Sequence, residues 1–213
     1  MSNKTENAYQ TIKSKILDNI YQPSQRLIEN QLSQELDVSR NIIRKVLARL
    51  ESEDLVVLES NKGAYVKSLS LEEVLNLLEI RLLLEVLIAK SAVEYIDSNE
   101  LDELKNILIK MNECINEERF EDYSQNNKKF HNIIYNVSRK PEAVSIVKRF
   151  KTQLVRHQFR TIIVAGRNTD SIKEHTDIYN ALERRNKQEV EKAITTHIGN
   201  VSKTIKVYYQ YLL

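Results

Sequence analysis

The stretch Val38-Ser39-Arg40-Asn41-Ile42-Ile43-Arg44-Lys45-Val46-Leu47-Ala48-Arg49-Leu50 decides how the first third of the chain is read. Ile43, Val46, Leu47 and Leu50 recur at i, i+3, i+4 and i+7, so they share one face of a helix. Between Ser39 and Leu50 there are four cations and no acid, and these fall largely outside the apolar face. Ser39 stands where an N-cap starts the helix. A short helix with one apolar face and a donor-rich cationic remainder suits a DNA major groove, because arginine can bond guanine edges or phosphates. A solvated surface helix carries the same pattern, so the neighbouring sequence has to decide.

Upstream, Ile12, Ile16, Leu17 and Ile20 place one apolar stripe on a helix over residues 8–20. Pro23 then breaks the pattern. Leu27, Ile28, Leu32 and Leu36 mark a second short helix, and Asp37-Val38-Ser39 is a tight connection into the opening stretch. Two short helices joined in this way form a helix-turn-helix. Downstream, Leu55–Leu58 and Ala64-Tyr65-Val66 are β-type runs around the polar turn Glu59–Gly63, which reads as a hairpin. Helices followed by such a hairpin make a winged helix-turn-helix. Lys62 and Gly63 lie at its tip, where the backbone can come close to a phosphate. Residues 1–69 hold ten Lys and Arg against nine Asp and Glu, so positive charge is concentrated on the third helix and the wing.

Composition limits the rest. Of 213 residues, 41% are apolar and 29% charged, which allows a substantial core and one or two domains. Three glycines, two prolines and no tryptophan predict long uninterrupted helices. Cys114 is the only cysteine, which excludes a disulfide framework and a thiolate metal site. No signal peptide or membrane span is visible, and a cytoplasmic protein is expected.

After residue 69 the pattern becomes wholly helical. Ser70-Leu71-Glu72-Glu73 reads as a capping box opening a helix to about Ile96. That helix is apolar on nearly every side, so it is either central to a second domain or divided between core and subunit interface. Arg81 and Glu85, one turn apart, form an intrahelical ion pair or direct Arg81 into a cavity. Five more helices are expected at 99–116, 119–137, 141–165, 171–185 and 187–211. Pro141 suits a first turn, Gly166 a position just past a helix end, and Ser171–Glu174 a second capping box. The expected architecture is mainly α: a winged helix-turn-helix over residues 1–69 and a six-helix bundle over 70–213.

The four histidines, His131, His157, His175 and His197, all lie in the second part. His131, His175 and His197 fall on different predicted helices, and Asn127 shares a face with His131. Three imidazoles and an oxygen can hold a divalent transition metal such as Zn²⁺, although isolated helical histidines are more often ordinary polar residues.

Two sets of motifs resemble a known family. The segments Arg26–Leu32, Leu36–Arg40, Arg44–Leu47 with Leu50, and Asn61–Val66 resemble the GntR family of bacterial repressors. That resemblance places Arg40 and Arg44 at the two recognition-helix arginines that touch DNA and Gly63 at the wing glycine that enters the minor groove. Asn41 stands where the family often has threonine, and Asn30 where some members carry a further DNA-contacting arginine. Ile80–Glu85, Asn127–His131, Glu174–Leu182 and Ala193–Ile198 resemble the FCD ligand-binding domain, in its shorter VanR-like form. There an Asp and three His hold a metal, and a small carboxylate effector lies beside it. His131, His175 and His197 take the histidine positions, and Asn127 replaces the Asp. The resemblance therefore implies a Zn²⁺ or Ni²⁺ site weakened by the missing charge, a homodimer and a roughly palindromic DNA operator. Arg81, Arg156, His157 and Arg160 are candidates to line the effector site. The alternatives are a metal-dependent helical hydrolase and a DNA-binding protein whose histidine cluster is purely structural.

Overall fold

In a computed structural model the backbone is described over residues 3–60, 62–161, 164 and 166–211, and side chains over the same residues except 3, 155–160 and 211. The chain divides into two compact units at Ser70/Leu71.

The first unit runs α1 (Asn3–Leu17), β1 (Arg26–Leu27), α2 (Glu29–Glu35), α3 (Arg40–Ser52), β2 (Val56–Glu59) and β3 (Gly63–Val66). Ile43, Val46, Leu47 and Leu50 are all buried, as their spacing requires. Each contributes about 1.5–3 kcal/mol by leaving water. They meet Ile12 and Ile16 of α1 and Leu32 of α2 in one core. Ser39 caps α3, its side chain accepting from the Ile42 amide. The wing is the expected hairpin, with Val57 opposite Tyr65 and Glu59 opposite Gly63. One element differs from the sequence reading. Arg26 and Leu27 form a two-residue strand against Tyr65 and Ala64, so the sheet order is β1-β3-β2 and α2 starts only at Glu29.

The second unit contains six helices among the described residues: α4 (Leu71–Tyr95), α5 (Ser98–Asn116), α6 (Phe120–Val137), α7 (Pro141–Thr161), α8 (Arg167–Glu183) and α9 (Lys187–Tyr208). Its core runs from Ile88 and Ala92 through Leu104, Met111 and Phe130 to Ile194. α4 packs against α6, α7 and α9, and α8 against α5 and α9. Asp97 and Glu100 make a reciprocal capping box at the start of α5.

Three expectations are corrected here. α4 is not enclosed on all sides: Val74, Leu78, Ile88 and Ala92 are buried, while Ile80, Leu83 and Leu87 are 46%, 72% and 48% exposed. Gly166 does not follow directly on the preceding helix, which ends at Thr161; with φ +79° it starts α8. Ser171 and Glu174 are not a capping box. They lie one turn inside α8 and face the core, because the helix begins four residues earlier than the pattern suggested. No helix among the described residues is long and apolar enough to cross a membrane.

Candidate functional site

On the first unit, α3 presents Arg40, Asn41, Arg44 and Lys45 to solvent. Arg44 Nε donates to Glu29 Oε2 at 2.8 Å. Arg40 donates from Nε and Nη2 to Asn30 Oδ1 at 3.0 and 2.5 Å. Asn30, uncharged, thus holds the Arg40 guanidinium through its carboxamide oxygen. Arg49 is committed elsewhere: it stacks 3.4 Å above the Tyr9 ring and bonds Glu6 at 2.8 Å, fastening α1 to α3. Lys62, 71% exposed, pairs with Glu59 across the wing turn. Gly63 adopts φ +102°, which a side chain resists, and a Cβ there would lie 3.6 Å from Arg26 Nε. Arg26, which the sequence reading left without a role, thus adds a cation beside the wing glycine. Only the β1–β3 pairing reveals this, and two residues are too few to signal a strand.

In the second unit, His131 of α6, His175 of α8 and His197 of α9 converge and are buried. One nitrogen from each lies within 4.8 Å of the others. His175 Nε2 is 3.3 Å from His131 Nε2 and 2.8 Å from Asn127 Oδ1. The opposite nitrogens all face oxygen acceptors. His175 Nδ1 donates to the Ser171 carbonyl at 2.6 Å, and His197 Nδ1 to Glu174 Oε2 at 2.8 Å. His131 Nδ1 lies 3.8 Å from Glu85 Oε2. A neutral imidazole carries one proton. Donation from Nδ1 leaves Nε2 of His175 and of His197 unprotonated. Burial first, then neighbouring positive charge, holds His131 and His175 well below the usual histidine range. Burial also lowers His197, against the opposing pull of Glu174. All three shifts favour the neutral ring, the form in which imidazole ligates a metal.

His175 Nε2, His131 Nε2 and the Asn127 carboxamide oxygen are thus gathered at one point. A cation resolves that arrangement, and outer oxygens fixing the ring tautomer are what metal-binding histidines use. Three imidazole nitrogens and one amide oxygen fit a divalent transition metal.

Sequence reasoning saw no carboxylate beside this cluster, and the structure places two there. Glu85 is paired with Arg81, one turn before it on α4, so the intrahelical reading of these residues is realised with both side chains buried. Glu174 accepts from His197, from Arg167 Nη2 at 2.8 Å and from Asn200 Nδ2 at 2.8 Å. Burial pushes both carboxyls upward, and their cationic and hydrogen-bonding neighbours outweigh it, leaving both below the ordinary value. Lys151 of α7 reaches Tyr135 Oη at 3.3 Å, and burial lowers its ammonium to about 7. The placement of Glu85, Glu174 and Lys151 beside the cluster was missed because it arises only through long-range packing. The side chains of Arg156, His157 and Arg160 fall outside the described residues.

Comparison with known proteins agrees with this architecture. Residues 4–66 match the model for "Bacterial regulatory proteins, gntR family" and residues 76–200 that for the FCD domain. The HTH-type transcriptional repressor RspR of Escherichia coli K12 is 23% identical over 198 residues, spanning 93% of this chain and 87% of that protein. The Uxu operon regulator of Haemophilus influenzae is 27% identical, spanning 90% of this chain and 78% of its own. Among solved structures, E. coli McbR/YncC shares the fold over all of both chains, with a TM-score of 0.78 at 20% identity. These relatives favour the regulator over the hydrolase alternative. The chain belongs to the GntR family of bacterial regulatory proteins, with an FCD domain in its second unit, and is a DNA-binding transcriptional regulator.

Proposed function

We propose that this protein is a homodimeric, ligand-gated repressor whose second unit binds a divalent metal and a small carboxylate. The observation that carries the reading is the convergence of His131, His175 and His197, with the outer nitrogens of His175 and His197 bonded to oxygens and one nitrogen of each ring within 4.8 Å of the others. These three and Asn127 would hold Zn²⁺ or Ni²⁺. The metal's chemistry is that of a Lewis acid with positions left open for a carboxylate oxygen. Arg81, buried and with Nη1 unpartnered, supplies a donor for the same anion. Because Asn127 brings no charge, the metal is held more weakly than an aspartate would hold it.

On the first unit, Arg40, Asn41 and Arg44 would meet base edges and phosphates in the major groove, with Lys62, Gly63 and Arg26 at the wing. Two such heads on a two-fold dimer fit a roughly palindromic operator. The exposed stripe Ile80, Leu83 and Leu87 on α4 is the surface we assign to dimerisation. Two copies meeting through it would bury the apolar face that the bundle leaves open. For gating, the ligand must bind the DNA-competent and DNA-incompetent states with different affinity.

Elemental analysis after loading with nickel or zinc tests the reading. We expect about one metal per chain, lost in His175→Ala, and tighter retention in Asn127→Asp. Full metal content in His175→Ala rejects the ligand set.

A further inference from the structure

Of the ten Lys and Arg in residues 1–69, seven pair with a carboxylate and Arg40 is held by Asn30. Among the described residues, the two left without an ion-pair or hydrogen-bond partner are Arg26 and Lys45, both exposed. Their settings differ. Lys45 stands on α3 next to Arg44. Arg26 stands on β1, level with Tyr65 of β3, which is level in turn with Val57 of β2. Residues level with one another point to the same side of a sheet. Leu27 and Ala64 face the core, so Arg26, Tyr65 and Val57 form a row on the outer side. Gly63, two residues from Tyr65, belongs to the next outer row and has no side chain to fill its place. The Arg26 guanidinium lies there instead: Nε and Nη2 are 3.6 and 3.7 Å from where a Gly63 Cβ would be.

The edge of the wing is therefore thin and positive, a glycine backbone with a flat guanidinium laid against it. A helix seated in the major groove sets its neighbouring hairpin across one phosphate strand from it, at the minor groove. That groove is only about 6 Å wide and admits little more than such an edge. A·T tracts narrow it further and strengthen its negative potential, which draws arginine in. Their floor offers only acceptors, whereas a G·C pair adds an amino donor. A guanidinium has donors alone, so it bonds the first floor and is obstructed by the second.

We propose that Arg26 is a sequence-reading residue, which enters the minor groove with Gly63 and selects A·T pairs beside the half-sites met by α3. The proposal rests on α3 lying in the major groove, as set out above. Lys45, a compact charge without such a setting, attracts phosphates whatever the sequence.

The test uses the full-length protein and duplex DNA. Selection from a random-sequence duplex library yields the half-sites. Affinity is then measured for three duplexes that share those half-sites and carry A·T, G·C or inosine·C pairs at the adjoining positions. Inosine is guanine without its 2-amino group, so it alters the minor-groove floor alone. We expect the A·T and inosine·C duplexes to bind roughly fivefold or more tightly than the G·C duplex. Arg26→Gln and Arg26→Ala should bind all three alike, with an unchanged melting temperature, because the β1–β3 pairing is made by backbone. Lys45→Ala should weaken all three by one common factor and keep the preference. A wild-type protein indifferent to the three duplexes, an inosine·C duplex that binds like the G·C one, or a preference that survives in both Arg26 variants overturns the proposal. Arg26 variants that lose the same factor on all three duplexes overturn it too, since Arg26 is then a phosphate anchor only. Arg44→Ala checks α3 separately. If it selects the same half-sites as the wild type, the seating of α3 fails, and the three-duplex comparison alone decides the role of Arg26.

Discussion

Arg44–Glu29 on the first unit and Arg167–Glu174 in the second are the same chemical pair at the same 2.8 Å separation. Their surroundings give them opposite meanings. Arg44 and Glu29 are 62% and 37% exposed, whereas Arg167 and Glu174 are 6% and 5% exposed. In water-rich surroundings such a pair contributes about 0–1 kcal/mol, so Glu29 can release Arg44 when a phosphate or guanine edge offers a better partner. In the buried unit neither charge can go back to water, and removing one partner costs about 3–5 kcal/mol. Arg44 is thus able to exchange its partner, and Arg167 is fixed in place with Nε and Nη1 unpartnered. Exposure, not residue type, separates a residue held ready for a partner from one built into the framework.

The sharpest way to break this contrast is Glu174→Ala. It strands Arg167 and frees His197 Nδ1, and we expect a loss of about 3–5 kcal/mol in urea unfolding of the second unit. A change below about 1 kcal/mol would mean that the buried pair is no more structural than the exposed one.

Acid should separate the two regions next. The buried histidines have folded-state values below the free value, so below about pH 6.5 the unfolded chain takes up protons that the folded chain refuses, and stability falls with pH. For the metal-free protein we expect a loss of about 3 kcal/mol between pH 7.5 and 5.5, roughly 1.4 for each of His131 and His175, with a smaller addition from His197, which Glu174 pulls the other way. The window closes as pH reaches the lowered folded values. The first unit carries no histidine, so its helix content should hold through that interval. A flat stability profile would show that the three rings accept protons in the folded state.

The smallest effects belong to the exposed pair. Arg44→Ala should weaken operator binding by about 1–3 kcal/mol if it reads a base. Glu29→Gln should change stability by less than about 1 kcal/mol and, by freeing Arg44, tighten DNA binding at low salt. Footprints indifferent to both changes would remove Arg44 from the reading surface.

Much of this was legible in the sequence, for specific reasons. The α3 stripe predicts its own burial because helical spacing alone fixes a face. The histidine set came from motif resemblance, and the fold brings its three members together. What failed were signals that depend on distant partners. Ser171 and Glu174 have the spacing of a capping box, but α8 begins four residues earlier, and both turn inward to Tyr123, Arg167 and His197. Glu85 and Lys151 lie on separate helices with no shared motif. The apolar run of α4 announces burial without saying how much its own unit covers, and Leu83 at 72% exposure shows that part of it is left open.

The two-residue strand β1 has a mechanical consequence. It pins the segment leading into α2 to the wing strand β3, two backbone rungs from Gly63, while α2 and α3 share one core. Recognition helix and wing therefore behave as the two jaws of a fixed caliper. Their gap is held by backbone pairing as well as by the shared core. If α3 and the wing meet DNA as proposed, an operator whose groove width does not match that gap would lose contacts at both jaws together, and the head would gauge the shape of DNA as well as its bases.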